Sequence, residues 1–326
     1  MTAPILLTGM HRSGGSWVAK MIEGGGGVVH VNEPFNRRHP PGLTPGILNV
    51  PPPRAYQHVG PHNEAEHLGG FRNMCELRYD LIAELRTNHG LYDLAKAAKY
   101  LTAFTYGRVR GMRTLIDDPY MVFAAEWLAD RLDCRVVMLV RHPAGIVSSL
   151  KRIGPGWADN LPDIAAQPEL IARYLRDHAD DLQRAAREPL DPVGHGALLW
   201  LLIHSAIAQQ AERHPEFVVV RYEDLAMDPE AGFRDLYERI GLPYTARAEN
   251  AVRSGSMAGP AARTNPWGRV GLGRTAYQPM DSRANAWAWR ERLAPGEAAQ
   301  IIAATRPVAE RFYRADELAA AHETAA

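Results

Sequence analysis

The stretch LLTGMHRSGGSW, residues 6–17, decides the fold. It opens apolar from about residue 4 to 8, as a buried strand does. A glycine-bearing turn follows and leads into a helix expected over 16–23. A strand that turns directly into a helix gathers backbone N–H groups around the helix N-terminus and makes an anion site. Arg12, Ser13 and Ser16 add side-chain donors. The turn is not a Walker A loop, because arginine stands where a nucleotide kinase has lysine followed by serine or threonine. The expected ligand is a phosphate-like group other than ATP with magnesium.

Outward from this stretch, apolar runs predict four more strands, at residues 28–31, 114–116, 135–140 and 217–221. Helical patterns are expected at 74–87, 119–131, 143–152, 169–187, 197–214, 229–240 and 295–313. Strands that alternate with helices place the chain in the α/β class, a parallel β-sheet flanked by helices. RVVMLV (135–140) and FVVVR (217–221) are nearly continuous in apolar residues, as strands covered on both faces should be. Two segments break the rhythm. Residues 34–70, rich in proline, glycine, histidine and asparagine, are expected to run irregularly over a substrate mouth. Residues 254–292, with many arginines and three tryptophans, are expected to fold over the ligand as a loop. With no internal repeat, 326 residues fit one α/β domain, 1–326, carrying an acceptor-side insertion at 34–105 and a closing loop at 254–292.

Composition removes several classes. The formal net charge is zero, so no global field draws the chain to nucleic acid or to an acidic membrane. Two cysteines, Cys75 and Cys134, make neither a disulfide framework nor a metal-ligand spacing. No run approaches the roughly 20 apolar residues of a membrane span. The greasiest stretch, residues 197–208, contains His204 and Ser205 and reads as a buried helix. The first residues lack a basic segment and a long apolar run, so the expected location is the cytoplasm. Basic charge is arginine apart from Lys20, Lys96, Lys99 and Lys151.

Three further segments carry chemistry. In VRHPAGIVSSLKR (140–152), Arg141 stands at the carboxyl end of a strand, where open α/β sheets bind ligands, and Ser149 follows on the next helix. In VVVRYEDLAMDP (218–229), Tyr222 takes the equivalent place, with Glu223 and Asp224 as caps or as partners for arginines. In VHVNEPFN (29–36), Glu33 projects from the same sheet edge. Taken alone, Arg141 and Ser149 read sooner as an ordinary strand-end arginine and a helix-surface serine, and Tyr222 as a core or rim aromatic; the ordinary reading of Glu33 is a helix cap or a partner of Arg37 or Arg38.

Together these segments resemble the PAPS-dependent sulfotransferases, which take a sulfuryl group from 3′-phosphoadenosine 5′-phosphosulfate. The GMHRSGGSW turn resembles that family's 5′-phosphosulfate loop in its arginine-bearing version. The span from Arg141 to Ser149, eight positions, resembles its 3′-phosphate motif, and RYEDL resembles the segment whose tyrosine lies near the adenine. SRANAWAWRERLAPGE (282–297) is similar to the family's C-terminal closing loop. The resemblance runs from about residue 4 to 313 and implies the P-loop-like sulfotransferase fold. It further implies PAPS as co-substrate, 3′,5′-ADP as product, no required metal, and a hydroxyl of a small molecule, glycan or lipid as acceptor.

Carried over residue by residue, the resemblance puts Arg12 on the phosphosulfate near its bridging oxygen. Ser13, Gly14, Gly15 and Ser16 become loop donors and Trp17 a partner of the adenine. Arg141 and Ser149 would bind the 3′-phosphate, with Arg283 near it, and Tyr222 would sit by the base. A transferred hydroxyl needs a proton acceptor. In tyrosylprotein and carbohydrate members a glutamate at a similar distance past the loop arginine serves. Here Glu33 lies 21 positions beyond Arg12, with His30 in reserve. His11 and His142 flank the anion motifs and read as structural hydrogen-bonders. Where many members carry lysine-aspartate-proline, this chain has Asp117, Asp118 and Pro119. Either Arg113 compensates for the missing cation, or Asp117 is a second acid facing the acceptor. Gly15 stands where many members have threonine. Phe35, Tyr56, His58, His62, Phe71 and Tyr79 suit an acceptor pocket. Two rival readings are a P-loop nucleotide kinase and a catalytically impaired nucleotide-binding module.

Overall fold

All five apolar runs are strands: β1 (Ile5–Gly9), β2 (Val28–Asn32), β3 (Arg113–Asp117), β4 (Arg135–Val140) and β5 (Val218–Arg221). The computed structural model describes residues 3–37, 44–153, 160–188, 190–257 and 281–319. The strands form one parallel sheet in the order β2-β3-β1-β4-β5, with β1 in the middle. Alternate side chains of each strand feed the two faces. Leu6, Val136 and Met138 join the larger core; Ile5, Leu7, Val137 and Leu139 join the smaller one. The larger core is closed by the helix Pro192–Arg213 against the helices Pro143–Ile153 and Pro295–Ala309. The smaller is closed by α1 (Gly15–Gly25) packed on the helix Ala246–Ser256.

Helix boundaries differ from the expected ones where local chemistry intervenes. The helix expected over 74–87 is instead the end of α2 (Glu64–Cys75), a turn with Leu77 in the left-handed region, and α3 (Leu81–Thr87). Asp80 starts α3 afresh by accepting from Ala83 N. A third helix, α4 (Leu91–Val109), precedes β3. The segment expected as one helix over 169–187 is broken by a π-turn at Ile171–Leu175, which lets Arg173 and Tyr174 both reach Glu126. Part of the segment expected as a loop, 254–292, is helical: Asp281 caps the helix Ser282–Trp287 by accepting from Ala284 N. Residues 258–280 of that segment lie outside the described residues. Phe35, Tyr56, His58 and Phe71, expected around an acceptor, are buried in or beside the core, because aromatic rings there pack on one another (Phe35 edge-on to Phe71 at 5.2 Å). Among the described residues no helix is long and apolar enough to cross a membrane.

Buried imidazoles give the fold a pH limit. His142 and His204 are fully buried, and burial pushes each down to about 3. In the unfolded chain both titrate near 6.5. Below that value the unfolded state binds more protons, so this stability is complete above pH 6.5 and is lost as pH falls toward 3. We expect each imidazole to remove roughly 3 kcal/mol from the free energy of urea unfolding between pH 7 and 4. His204→Gln should flatten the decline; an equally steep decline in that variant contradicts the assignment.

Candidate functional site

Every strand of the sheet ends at one cavity of about 730 Å3. The turn after β1 supplies its floor, Glu33 follows β2, Asp117 ends β3, and Arg141 and Tyr222 follow β4 and β5. The order of strands reverses around β1, the place where open α/β sheets form a ligand crevice. The size suits a nucleotide-scale ligand.

The floor is built for an anion. Gly9 ends β1 at φ 154°, and a Cβ there would lie 2.4 Å from Leu139 O, so only glycine lets the turn start against β4. Ser13 N closes the turn onto Met10 O at 3.0 Å. Gly14, at φ 104°, is the N-cap of α1 and offers no side chain to the helix, so the first-turn amides keep no side-chain cap. A Cβ on Gly14 would strike the Tyr222 ring at 2.6 Å, so the turn and the β5 end fit together through that glycine. Ser16 and Gly15 line the cavity beside it.

Cations gather at this floor. Arg12 Nε donates to Ser149 Oγ at 2.9 Å, and Arg141 Nη1 donates to Arg12 O at 3.0 Å. Arg141 is fixed from all sides: Nη2 donates to Asn285 O, its guanidinium lies 4.3 Å from the Tyr222 ring centroid, and Trp200 Nε1 holds its carbonyl. Its Nε is buried without a partner. Arg152 and Arg292 line the same cavity. Withdrawal from water, then the like charges of Arg141 and Arg152, lower the Arg12 pKa from its ordinary value. Like charges crowded on an uncapped helix start form a strong receptor for a multiply charged anion.

The wall opposite is acidic. Glu33 adopts φ 50°, its backbone N donates to Asp117 O at 2.7 Å, and Asn36 Nδ2 donates to its carboxylate. Burial, assisted by the nearby Asp117, pushes Glu33 up to about 7, against the pull of Asn36, Arg12 and His30. His11 Nδ1 lies 2.6 Å from the Tyr56 hydroxyl, and burial beside Arg12 pushes the imidazole down to about 4. Asp118 is occupied as a cap, accepting from Phe35 N and Tyr120 N.

Most residues singled out in the sequence meet here. Arg12, Ser13, Gly14, Gly15, Ser16, Trp17, Glu33, Arg141, Ser149 and Tyr222 all line the cavity. Trp17 does so mainly from beneath: it is buried edge-on against Tyr222 and Phe233. Arg283 does not line it; that guanidinium donates to Met227 O at 2.6 Å on the outside of its helix. Arg113 cannot compensate for the acid at 117. It stands at the far end of β3, donating to Ile240 O and Gly241 O. His30 lies behind Asp117 rather than in the cavity, between Glu23 and Asp117, whose charges raise its pKa despite burial. His142 is a core residue stacked on Trp289 at 4.6 Å. Arg152, Asn285 and Arg292 were missed as site residues. Arg152 alone had a legible cue, one helical turn beyond Ser149. Among the described residues no group of three or more His, Cys, Asp or Glu is placed to hold a metal.

Comparison with known proteins is consistent in one direction. A model described as the sulfotransferase family matches residues 4–246. The chain is similar to carbohydrate sulfotransferase 3 of Mus musculus, 25% identical over 158 residues, 48% of this chain and 29% of that protein. It is similar to carbohydrate sulfotransferase 1 of Rattus norvegicus, 23% identical over 197 residues, 57% of this chain and 37% of that protein. The matched part thus spans about a third of the length of these curated relatives. Among solved structures, the sulfotransferase domain of the Synechococcus PCC 7002 olefin synthase aligns over 96% of this chain and 97% of that one. It has 17% identity and a TM-score of 0.46, a superposition too loose to bear weight.

Proposed function

This chain belongs to the sulfotransferase family, and from that premise we propose that it moves a sulfuryl group from PAPS to a hydroxyl of a small-molecule, glycan or lipid acceptor. The observation that carries the reading is the convergence of Arg12, Arg141 and Arg152 on an uncapped helix start within one cavity. The buried, unpartnered Nε of Arg141 fits an anion from the donor nucleotide. In this reading the turn amides, Ser13, Ser16 and Arg12 hold the phosphosulfate end. Arg141 and Ser149 hold the 3′-phosphate, aided by Arg152. Tyr222 and the edge of Trp17 flank the base.

Glu33 is the proton acceptor. As the acceptor oxygen bonds to sulfur and the bond from sulfur to the departing bisphosphate breaks, the hydroxyl proton passes to the Glu33 carboxylate. Arginine and backbone donors then face the charge that develops on the leaving group. A carboxyl raised to about 7 is matched to this task near neutral pH. The names of the curated relatives make a sugar hydroxyl the first acceptor to try.

Calorimetry with 3′,5′-ADP, 5′-AMP and ATP tests the donor reading. We expect 3′,5′-ADP to bind about tenfold or more tightly than 5′-AMP, without magnesium, through charge-assisted contacts to the second phosphate. Equal affinities, or tighter binding of ATP with magnesium, favour a nucleotide kinase. Binding without sulfate transfer to any hydroxyl acceptor favours a nucleotide-binding module.

A further inference from the structure

We propose that Asp117 is a positioning residue for the reaction, its fixed negative charge strengthening the neighbouring Glu33 carboxylate as proton acceptor. This rests on the reading of Glu33 as base. The two residues are joined through the sheet edge: β2 and β3 pair Asn32 with Asp117, and Glu33 N donates to Asp117 O at 2.7 Å. Both residues line the cavity. Asp117 is only 3% exposed, and its Oδ2 has no hydrogen-bond partner. Such a carboxylate is costly to bury unless a nearby charge offsets it.

The offset comes from behind. His30 Nε2 lies 3.6 Å from Asp117 Oδ2, His30 Nδ1 lies 3.5 Å from Glu23 Oε2, and Lys20 Nζ donates to Glu23 at 2.6 Å. Charge therefore alternates from Lys20 through Glu23 and His30 to Asp117, ending at the cavity wall. On the other side, room is made by Gly15: a Cβ there would come within 2.7 Å of Asp117 Oδ1. The side chain is thus held in place between His30 and the turn at Gly15.

Facing Glu33, Arg12 comes from the turn, His30 from β2, Asn36 from its own segment, Asp117 and Asp118 from the end of β3, and Tyr56 from the chain before α2. Arg12, His30 and Asn36 favour the ionised form. Asp118 also couples to Glu33, but burial and then that coupling push its own carboxyl well above the ordinary range, against the amides of Phe35 and Tyr120; Asp117 is the carboxylate whose charge raises Glu33. Like charge disfavours ionisation, so Asp117 makes the Glu33 carboxylate hold a proton more tightly once it has one.

The test is an infrared titration of the protonated-carboxyl band in the full chain, with E33Q identifying the Glu33 contribution. In D117N the Glu33 midpoint should move to lower pH by about one unit. In turnover, the acid limb should move the same way while the high-pH plateau falls, since a weaker base transfers more slowly. An unmoved midpoint overturns the proposal. If D117N folds poorly because His30 loses its counter-charge, D117N/H30Q compared with H30Q gives the same reading without a buried imidazolium. If E33Q turns over like the unaltered chain, the assignment of Glu33 as base fails. The infrared midpoint still decides whether Asp117 acts on Glu33.

Discussion

Arg12→Ala is expected to lower turnover by about 10²–10³-fold, equivalent to about 2.7–4 kcal/mol of transition-state stabilisation. The side chain opens onto the cavity rather than into the core, so its loss leaves no hole in the packing. Its backbone already occupies the left-handed region at φ 72°, a cost that alanine shares with arginine. The thermal midpoint should therefore stay within a few degrees. Two contacts change: Ser149 Oγ loses its donor, and the repulsion that Arg12 feels from Arg141 and Arg152 is relieved. Affinity for 3′,5′-ADP should accordingly fall less than turnover does, because Arg141 and Arg152 remain. An alanine variant that turns over within threefold of the unaltered chain removes Arg12 from the leaving-group site.

Glu33→Gln is expected to lower turnover by about 10²–10⁴-fold while affinity for 3′,5′-ADP is kept. Glutamine preserves the shape, the backbone bond to Asp117 O and a polar partner for Asn36. What it removes is a basic oxygen. The pH dependence gives a second readout. The base works ionised, and the folded chain holds that group at about 7, so activity in the unaltered chain should rise through pH 7. In the glutamine variant this limb should vanish. The same raised value carries a sign for stability. The folded state keeps a proton that the unfolded chain releases near 4.3, so Glu33 favours folding less as pH rises toward 7. Rate retained in E33Q at every pH would exclude Glu33 and leave Asp117 as the remaining carboxylate of this wall that lines the cavity.

How much of this was legible in the sequence follows from the range of each interaction. The strands were legible because β4 and β5 are written in nearly unbroken apolar residues and because glycine must stand at 9 and 14 for the turn to close. Residues at strand ends were legible for the same reason: a parallel sheet brings the ends of all its strands to one edge, so Arg141, Tyr222 and Glu33 could be placed there before any coordinates. Side-chain direction was not. Arg283 and Arg292 sit on the same late segment, yet one bonds Met227 O outside and the other lines the cavity. The aromatic residues of 34–70 read as an open pocket because composition does not reveal that Phe35 and Phe71 pack on each other. The breaks at Leu77 and Ile171–Leu175 arise from a left-handed turn and from a shared bond to Glu126, neither of which has a period to detect.

The close fit of Gly15 to the Asp117 carboxylate has an evolutionary consequence. Position 15 cannot gain a side chain unless the Asp117 carboxylate shifts or is replaced. A β-carbon gained at 15 while aspartate persists at 117 meets an oxygen at bonding-like range, whereas a smaller or differently aimed residue at 117 frees the site. A β-carbon introduced at 15 should therefore cost more beside aspartate than beside a smaller residue at 117, so the effects of the two substitutions should not add.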